Sequence, residues 1–326
     1  MRPELPARHI TSTCLRLALW AIALACVPLA HAADRTEVTF PGDRAYPESI
    51  TVTSDGTLTA GSLAEGGVFR VPPGTSTAER WIQPGVNDSM STLGVLADER
   101  SGVLWLCSSD LSAFGVQPPG RAKPVALKSF DLKTGAPKGS YPLPGEKTLC
   151  NDMAVGPDGS VYVTDSFQPH VLRLKPGAVA LEVWAEHPGF GGEGANLDGI
   201  AIGADGNVYV NTFTTGRLFR IEMGQDGKAG RITQLQTSRP LDHPDGMRSF
   251  GPDRLLMVEG AGQFDVVHLD GDRAKIDVVK EGYKGPVSVV QVGDVAWVLE
   301  GQLNTLFDPK SGKPTPFHAY AVPLPR

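Results

Sequence analysis

The chain has 326 residues, 41 % hydrophobic and 20 % charged, with a formal net charge of −6. That composition describes a globular core and excludes a disordered chain, and the acidic balance speaks against a nucleic-acid binder. Its 38 Gly and 27 Pro interrupt helices too often for a helical bundle, a coiled coil or a TIM barrel.

The first 32 residues read as a secretory signal peptide. Arg2, Arg8 and Arg16 make a basic start, and Leu17–Leu29 is an apolar run of 13 residues. Ala30 and Ala32 then stand where a signal peptidase reads, so cleavage is expected after Ala32. A bilayer span needs about 20 apolar residues. No stable membrane span is therefore expected once the segment is removed, and the location is periplasmic or secreted. Ala23-Leu24-Ala25-Cys26 is a faint lipobox, so a lipoprotein at Cys26 is the lesser alternative. Loss of three Arg and one Glu leaves a charge of −8 on residues 33–326.

From residue 48 onward one pattern recurs six times. The first copy runs from Glu48 through the Asp55-Gly56 turn, with a third strand at Val68–Val71. Thr92–Leu106 is the second, with a longer turn at Asp98-Glu99-Arg100. The clearest two are Asn151–Asp165, with Asp158-Gly159 at its turn, and Asp198–Thr212, with Asp205-Gly206. Asp245–Glu259 and Pro286–Val298 complete the series. The clearest two copies have a polar start, an apolar stretch, a tight Asp-Gly turn and a β-branched and aromatic stretch, which is a hairpin signature that the others follow more weakly. Hairpins roughly 40–57 residues apart, each followed by two more short strands, predict an all-β, six-bladed β-propeller. Four antiparallel strands per blade make a single domain of residues 33–326, with Glu37–Phe40 expected to close the last blade.

Beyond residue 32 two cysteines remain, Cys107 and Cys150, and a disulfide or two buried thiols both suit them. No Gly-x-Ser-x-Gly elbow and no His-Glu-x-x-His occurs, so a serine hydrolase of the α/β kind and a zinc protease lack support.

In a propeller the first strand of each blade begins at one mouth of the central channel. Aligning the copies on their turns brings Glu48, Thr92, Asn151, Asp198, Asp245 and Pro286 to that mouth. Converging acids repel unless neutralised. An all-oxygen set suits a hard divalent cation, Ca2+ first, with Mg2+, Mn2+ or Zn2+ as alternatives. Folding each hairpin about its turn predicts that Asn151 faces Asp165, that Asp198 lies near Asn211 or Thr212, and that Asp245 lies near Glu259. His243 sits on the rim as a candidate acid, base or substrate contact. The long loop Ser108–Lys123 leaves a second strand at the same mouth, and Phe114 and Arg121 are expected to touch a small-molecule substrate there.

Cys150-Asn-Asp-Met-Ala-Val-Gly-Pro-Asp-Gly, Asn196-Leu-Asp-Gly-Ile-Ala-Ile and Pro244-Asp-Gly-Met resemble the senescence marker protein/gluconolactonase/LRE-like family of regucalcin- and sugar-lactonase-like propellers. The resemblance implies one catalytic divalent cation held by Glu48, Asn151, Asp198 and Asp245. It also implies Asp245 as general base. The family's Glu usually precedes Gly-Pro, whereas here it lies in Pro47-Glu48-Ser49-Ile50. The family's fourth-blade ligand is usually Asn, and Asn196 competes with Asp198 for that place. With Asp198 the set carries three negative charges, which tightens calcium and makes the cation a poorer Lewis acid.

The expected activity is metal-dependent hydrolysis of a small cyclic ester, a sugar lactone or related lactone, with Asp245 and Glu48 as catalytic residues. Phosphoester or organophosphate hydrolysis at the same site, a lyase using His243, and a non-catalytic binding propeller of the NHL type are the alternatives.

Overall fold

The structure, a computed structural model, describes residues 1, 35–117 and 123–325. The signal segment, Cys26, the cleavage site at Ala32 and Arg121 lie outside the described residues. Among the described residues no helix is long and apolar enough to cross a membrane.

Six antiparallel sheets make a β-propeller. The innermost strands are Pro47–Val52, Ser91–Asp98, Cys150–Val155, Leu197–Ile202, Pro244–Ser249 and Pro286–Val292. Each packs against the next, and the sixth returns to the first, which closes the ring. Glu37–Phe40 pairs antiparallel with Phe317–Pro323 as the outer strand of the last blade, so N-terminal and C-terminal segments share one sheet. One strand lies outside the four-per-blade expectation: Gln236–Thr237 adds to the fifth blade, parallel to Arg273–Glu281. Two residues are too few to leave a periodic signal.

The hairpin turns follow from their sequence. In three blades the turn Asp accepts a hydrogen bond from the backbone N–H two residues on: Asp55 from Thr57, Asp158 from Ser160 and Asp205 from Asn207, at 2.9, 3.0 and 3.0 Å. The intervening Gly56, Gly159 and Gly206 take φ of 86°, 84° and 80°, a region costly for side chains with a Cβ. Burial is two-sided, as a ring requires. Tyr162 and Trp184 of the third blade share an apolar cluster with Ile200, Val208 and Phe219 of the fourth. Leu218 and Tyr209 of the fourth share another with Met247, Leu255 and Met257 of the fifth. This explains why strands such as Val161–Asp165 are apolar on both faces.

Every inner strand carries a bulge near its start. The register slips between Pro47 and Ile50, Thr92 and Val95, Cys150 and Met153, Leu197 and Ile200, Pro244 and Met247, and Pro286 and Ser288. A bulge leaves residues out of the ladder and re-aims them. In blade three it corrects the expected pairing by one residue, and blades four and five, where Asp198 lies near Asn211 and Thr212 and Asp245 near Glu259 as expected, share the same register. Cys150, not Asn151, faces Asp165; Leu197 faces Thr212; Pro244 faces Glu259. Asn151, Asp198 and Asp245 are the residues so released from pairing.

The glycine after each of two acids has a packing role. A Cβ on Gly199 would fall 2.3 Å from the Asp245 carbonyl oxygen, and one on Gly246 would fall 2.6 Å from that of Val287. Absence of a side chain lets neighbouring inner strands approach at the level of the site. Cys107 and Cys150 form a disulfide joining the second strand of blade two to the inner strand of blade three.

Candidate functional site

The bulges bring Glu48, Asn151, Asp198 and Asp245 to one cavity of about 1250 Å³ at the channel mouth. All four are buried, each between 5 and 6 % exposed. Thr92 is also buried but does not line the cavity, where its neighbour Leu93 stands instead. Pro286 lines the wall.

Two second-strand side chains fix the distance between successive site residues. Thr164 accepts from the Asp152 N–H at 3.0 Å and donates to the Asp198 carbonyl at 2.7 Å. In the next blade Asn211 accepts from the Gly199 N–H at 2.9 Å and donates to the Asp245 carbonyl at 2.6 Å. Each side chain thus satisfies an N–H freed by its own bulge and clamps the following blade's acid. Sequence reasoning places Asn211 near Asp198 but misses this relay. The repeated polar residue one before the end of the second strand is the available signal.

The side chains are coupled. Asn151 Nδ2 donates to Asp198 Oδ2 at 3.0 Å and to Ser166 Oγ at 2.9 Å. Asp198 and Asp245 interact directly, and Gly246 N–H donates to Asp245 Oδ1 at 2.7 Å. Burial, then the charges of Asp198 and Glu48, raise Asp245 well above the usual carboxylate range. Burial and the charge of Asp152 push Asp198 up to about 7. Glu48 is raised by burial and by Asp198 and Asp152, with Arg248 opposing. Burial and mutual repulsion therefore raise all three carboxyls, as expected of convergent acids without a counter-ion.

The donor set fits a hard divalent cation. Asn151 Oδ1 is buried without any hydrogen-bond partner, and it belongs to a group whose other members are carboxylates. Among the described residues no three His, Cys, Asp or Glu side chains are already drawn together at ligand spacing. Raised carboxyls bind protons more tightly, so proton and cation would compete for the same oxygens. Asp198 lines the cavity and Asn196 does not, although Asn196 Oδ1, like Asn151 Oδ1, is buried without a hydrogen-bond partner; its Nδ2 donates at 3.2 Å to the carbonyls of both Glu193 and Gly194.

The rim collects the other expected contacts. His243 lines the cavity with a left-handed backbone, φ 57°, and its Nδ1 lies 2.6 Å from Asp242 Oδ1. The turn is held by the Gly260 N–H donating to the His243 carbonyl at 2.8 Å, and by the Asp242 N–H donating to Glu259. Phe114 lines the rim from a short 3-10 turn, Ser112–Phe114.

The sequence matches no family model and no curated protein. Solved structures do match. A gluconolactonase from Xanthomonas campestris is 17 % identical, with 86 % of each chain covered and a TM-score of 0.60. A luciferin-regenerating enzyme is 16 % identical over 89 % of this chain and 93 % of its own, with a TM-score of 0.61. Virginiamycin B lyase from Staphylococcus aureus, inactive when one histidine is replaced by alanine, is 17 % identical over 80 % of each chain, with a TM-score of 0.58. These likenesses establish the fold. Hydrolase and lyase share it, so the chemistry must be argued from the site.

Proposed function

We propose that this propeller is a metal-dependent hydrolase of small cyclic esters. One observation carries the proposal: three acids and an amide oxygen without a partner, all buried, line one cavity. Glu48, Asn151, Asp198 and Asp245 would hold the cation, Ca2+ first. When bound, it would compensate the acids' charge and polarise the ester carbonyl as a Lewis acid. Asp245 serves as base: it accepts a proton from the attacking water as the new C–O bond forms. The ring C–O bond then breaks, and the departing oxygen takes up a proton to give the hydroxy acid. With the cation bound, Asp245 would be ionised and able to take that proton. Glu48, Asn151 and Asp198 position the reacting centre. The gluconolactonase among the similar structures supports this class, and the disulfide supports work in an oxidising compartment outside the cytoplasm.

A second reading, a lyase, draws on His243, whose strained backbone and hydrogen bond to Asp242 present an imidazole at the rim. A lactone panel assayed with and without chelator tests the first reading. Chelator-sensitive hydrolysis is expected. Elimination products that depend on His243 would favour the second.

A further inference from the structure

The acids make up only part of the cavity lining. Every blade also places an apolar residue there, one to three positions beyond the end of its second strand: Leu63, Leu111, Phe167, Phe213, Ala261 and Leu303. These six residues form a collar around the channel mouth. Phe114 and Phe307 extend it outward. Their ring centroids are 6.4 Å apart, and Phe114 lies 5.9 Å from Phe167, so loops of blades two, three and six meet in one aromatic group. Phe114 and Phe307 remain 52 % and 43 % exposed, unusual for phenylalanine in a folded chain.

Several polar side chains of the wall are already engaged. Gln302 Oε1 accepts from the Thr315 N–H and hydroxyl at 2.9 and 3.0 Å, and Gln302 Nε2 donates to the Thr315 carbonyl at 3.1 Å. Lys284 Nζ donates to Thr315 Oγ1 at 3.1 Å, and Thr305 Oγ1 donates to the Gln302 carbonyl at 2.9 Å. Against the six collar residues a polyhydroxylated ligand would give up water hydrogen bonds without a side-chain replacement, leaving Asp242, His243, Asn304 and Lys313 as polar lining groups outside the collar. Each unpaired hydroxyl weakens binding by roughly five- to a hundredfold.

We infer that the ligand of this site is a lactone or ester whose reacting carbonyl faces the acids and whose remaining body is apolar, alkyl or aryl, rather than a sugar. The ester part of this rests on the proposed hydrolase function; the apolar part rests on the collar alone.

The test uses γ-lactones bearing a hydrogen, ethyl, butyl or hexyl group, alongside glucono-δ-lactone, with turnover measured on the purified protein and calcium. The matching γ-alkyl lactams, which resist hydrolysis, are titrated calorimetrically in parallel. Lactam affinity should rise about two- to fourfold per added methylene until the collar is filled. Phe114→Ser and Phe307→Ser should flatten that slope. Turnover should favour alkyl lactones over glucono-δ-lactone. Rising lactam affinity without hydrolysis of any lactone would uphold the apolar ligand and refute the hydrolase. Preferred hydrolysis of glucono-δ-lactone would uphold the hydrolase and overturn this inference, as would lactam affinity independent of chain length.

Discussion

Asn211, buried on the second strand of blade four, donates to the backbone carbonyl of Asp245 on blade five at 2.6 Å. Its own carbonyl oxygen holds the Gly199 N–H, so one amide spans two blades and sets where Asp245 stands relative to Asp198. Groups that orient ligands are worth about 10–100-fold in metal affinity. Asn211→Ala and Thr164→Val are each expected to weaken calcium binding by about that factor. Calcium titration checks this, with thermal melts confirming that the variants fold.

Arg248 reaches from the fifth blade to Asp152 on the third, with hydrogen bonds of 2.6 and 3.2 Å to its two oxygens. Both side chains are largely buried, 13 and 6 % exposed. Arg248→Met should cost about 3–5 kcal/mol, because it strands a buried carboxylate. Arg248→Met combined with Asp152→Leu should recover most of that loss. Chemical denaturation of the two variants measures both effects.

Asp265 offers a pH test away from the cavity. Its carboxyl accepts from Arg239 Nη2 at 3.0 Å, and the same Arg239 nitrogen pairs with Glu259. Burial and Glu259 push its pKa up to about 8, with Arg239 opposing. A raised carboxyl pKa contributes stability that is full below the unfolded value, about 4. That stability is lost as pH rises toward about 8. Asp265→Asn should flatten this part of the pH–stability curve. Melting temperatures from pH 5 to 9 provide the comparison.

The Cys107–Cys150 bond closes a sequence separation of 43 residues. Chain-entropy arguments assign such a loop about 4 kcal/mol. A Cys107→Ser, Cys150→Ser double variant should lose stability of that order. Because Cys150 adjoins Asn151, calcium affinity should fall as well. Denaturation and calcium titration of the variant check the two effects separately.

The repeat is legible because its turn chemistry is local. Asp158-Gly159 and Asp205-Gly206 specify their turns within four residues, and apolar strands on either side say that both faces are covered. The same alignment brings Glu48, Asn151, Asp198 and Asp245 to one mouth, since position in a repeat becomes position around a ring. The bulges are not legible. They shift pairing by one residue without altering the apolar pattern, which is why folding about the turn pairs Asp165 with Asn151 in place of Cys150. Nor is the Arg248–Asp152 contact, which joins residues 96 apart in non-adjacent blades. Asp152 reads as half of an Asn-Asp pair, and nothing local distinguishes its role. The apolar collar is visible in the sequence only as scattered loop residues such as Phe167 and Phe213.

Glu48→Gln and Asp245→Asn should each abolish turnover and lower metal affinity, while Asp198→Asn should keep binding, since an amide oxygen remains at that place. The most direct measurement is calorimetric titration of calcium into the chelator-treated protein. One site per chain is expected, weakened at least about tenfold by Glu48→Gln, on the scale that loss of one charged partner brings. No binding of any divalent cation, or Glu48→Gln, Asn151→Ala and Asp245→Asn proteins that all bind as the unmodified chain does, would contradict the site.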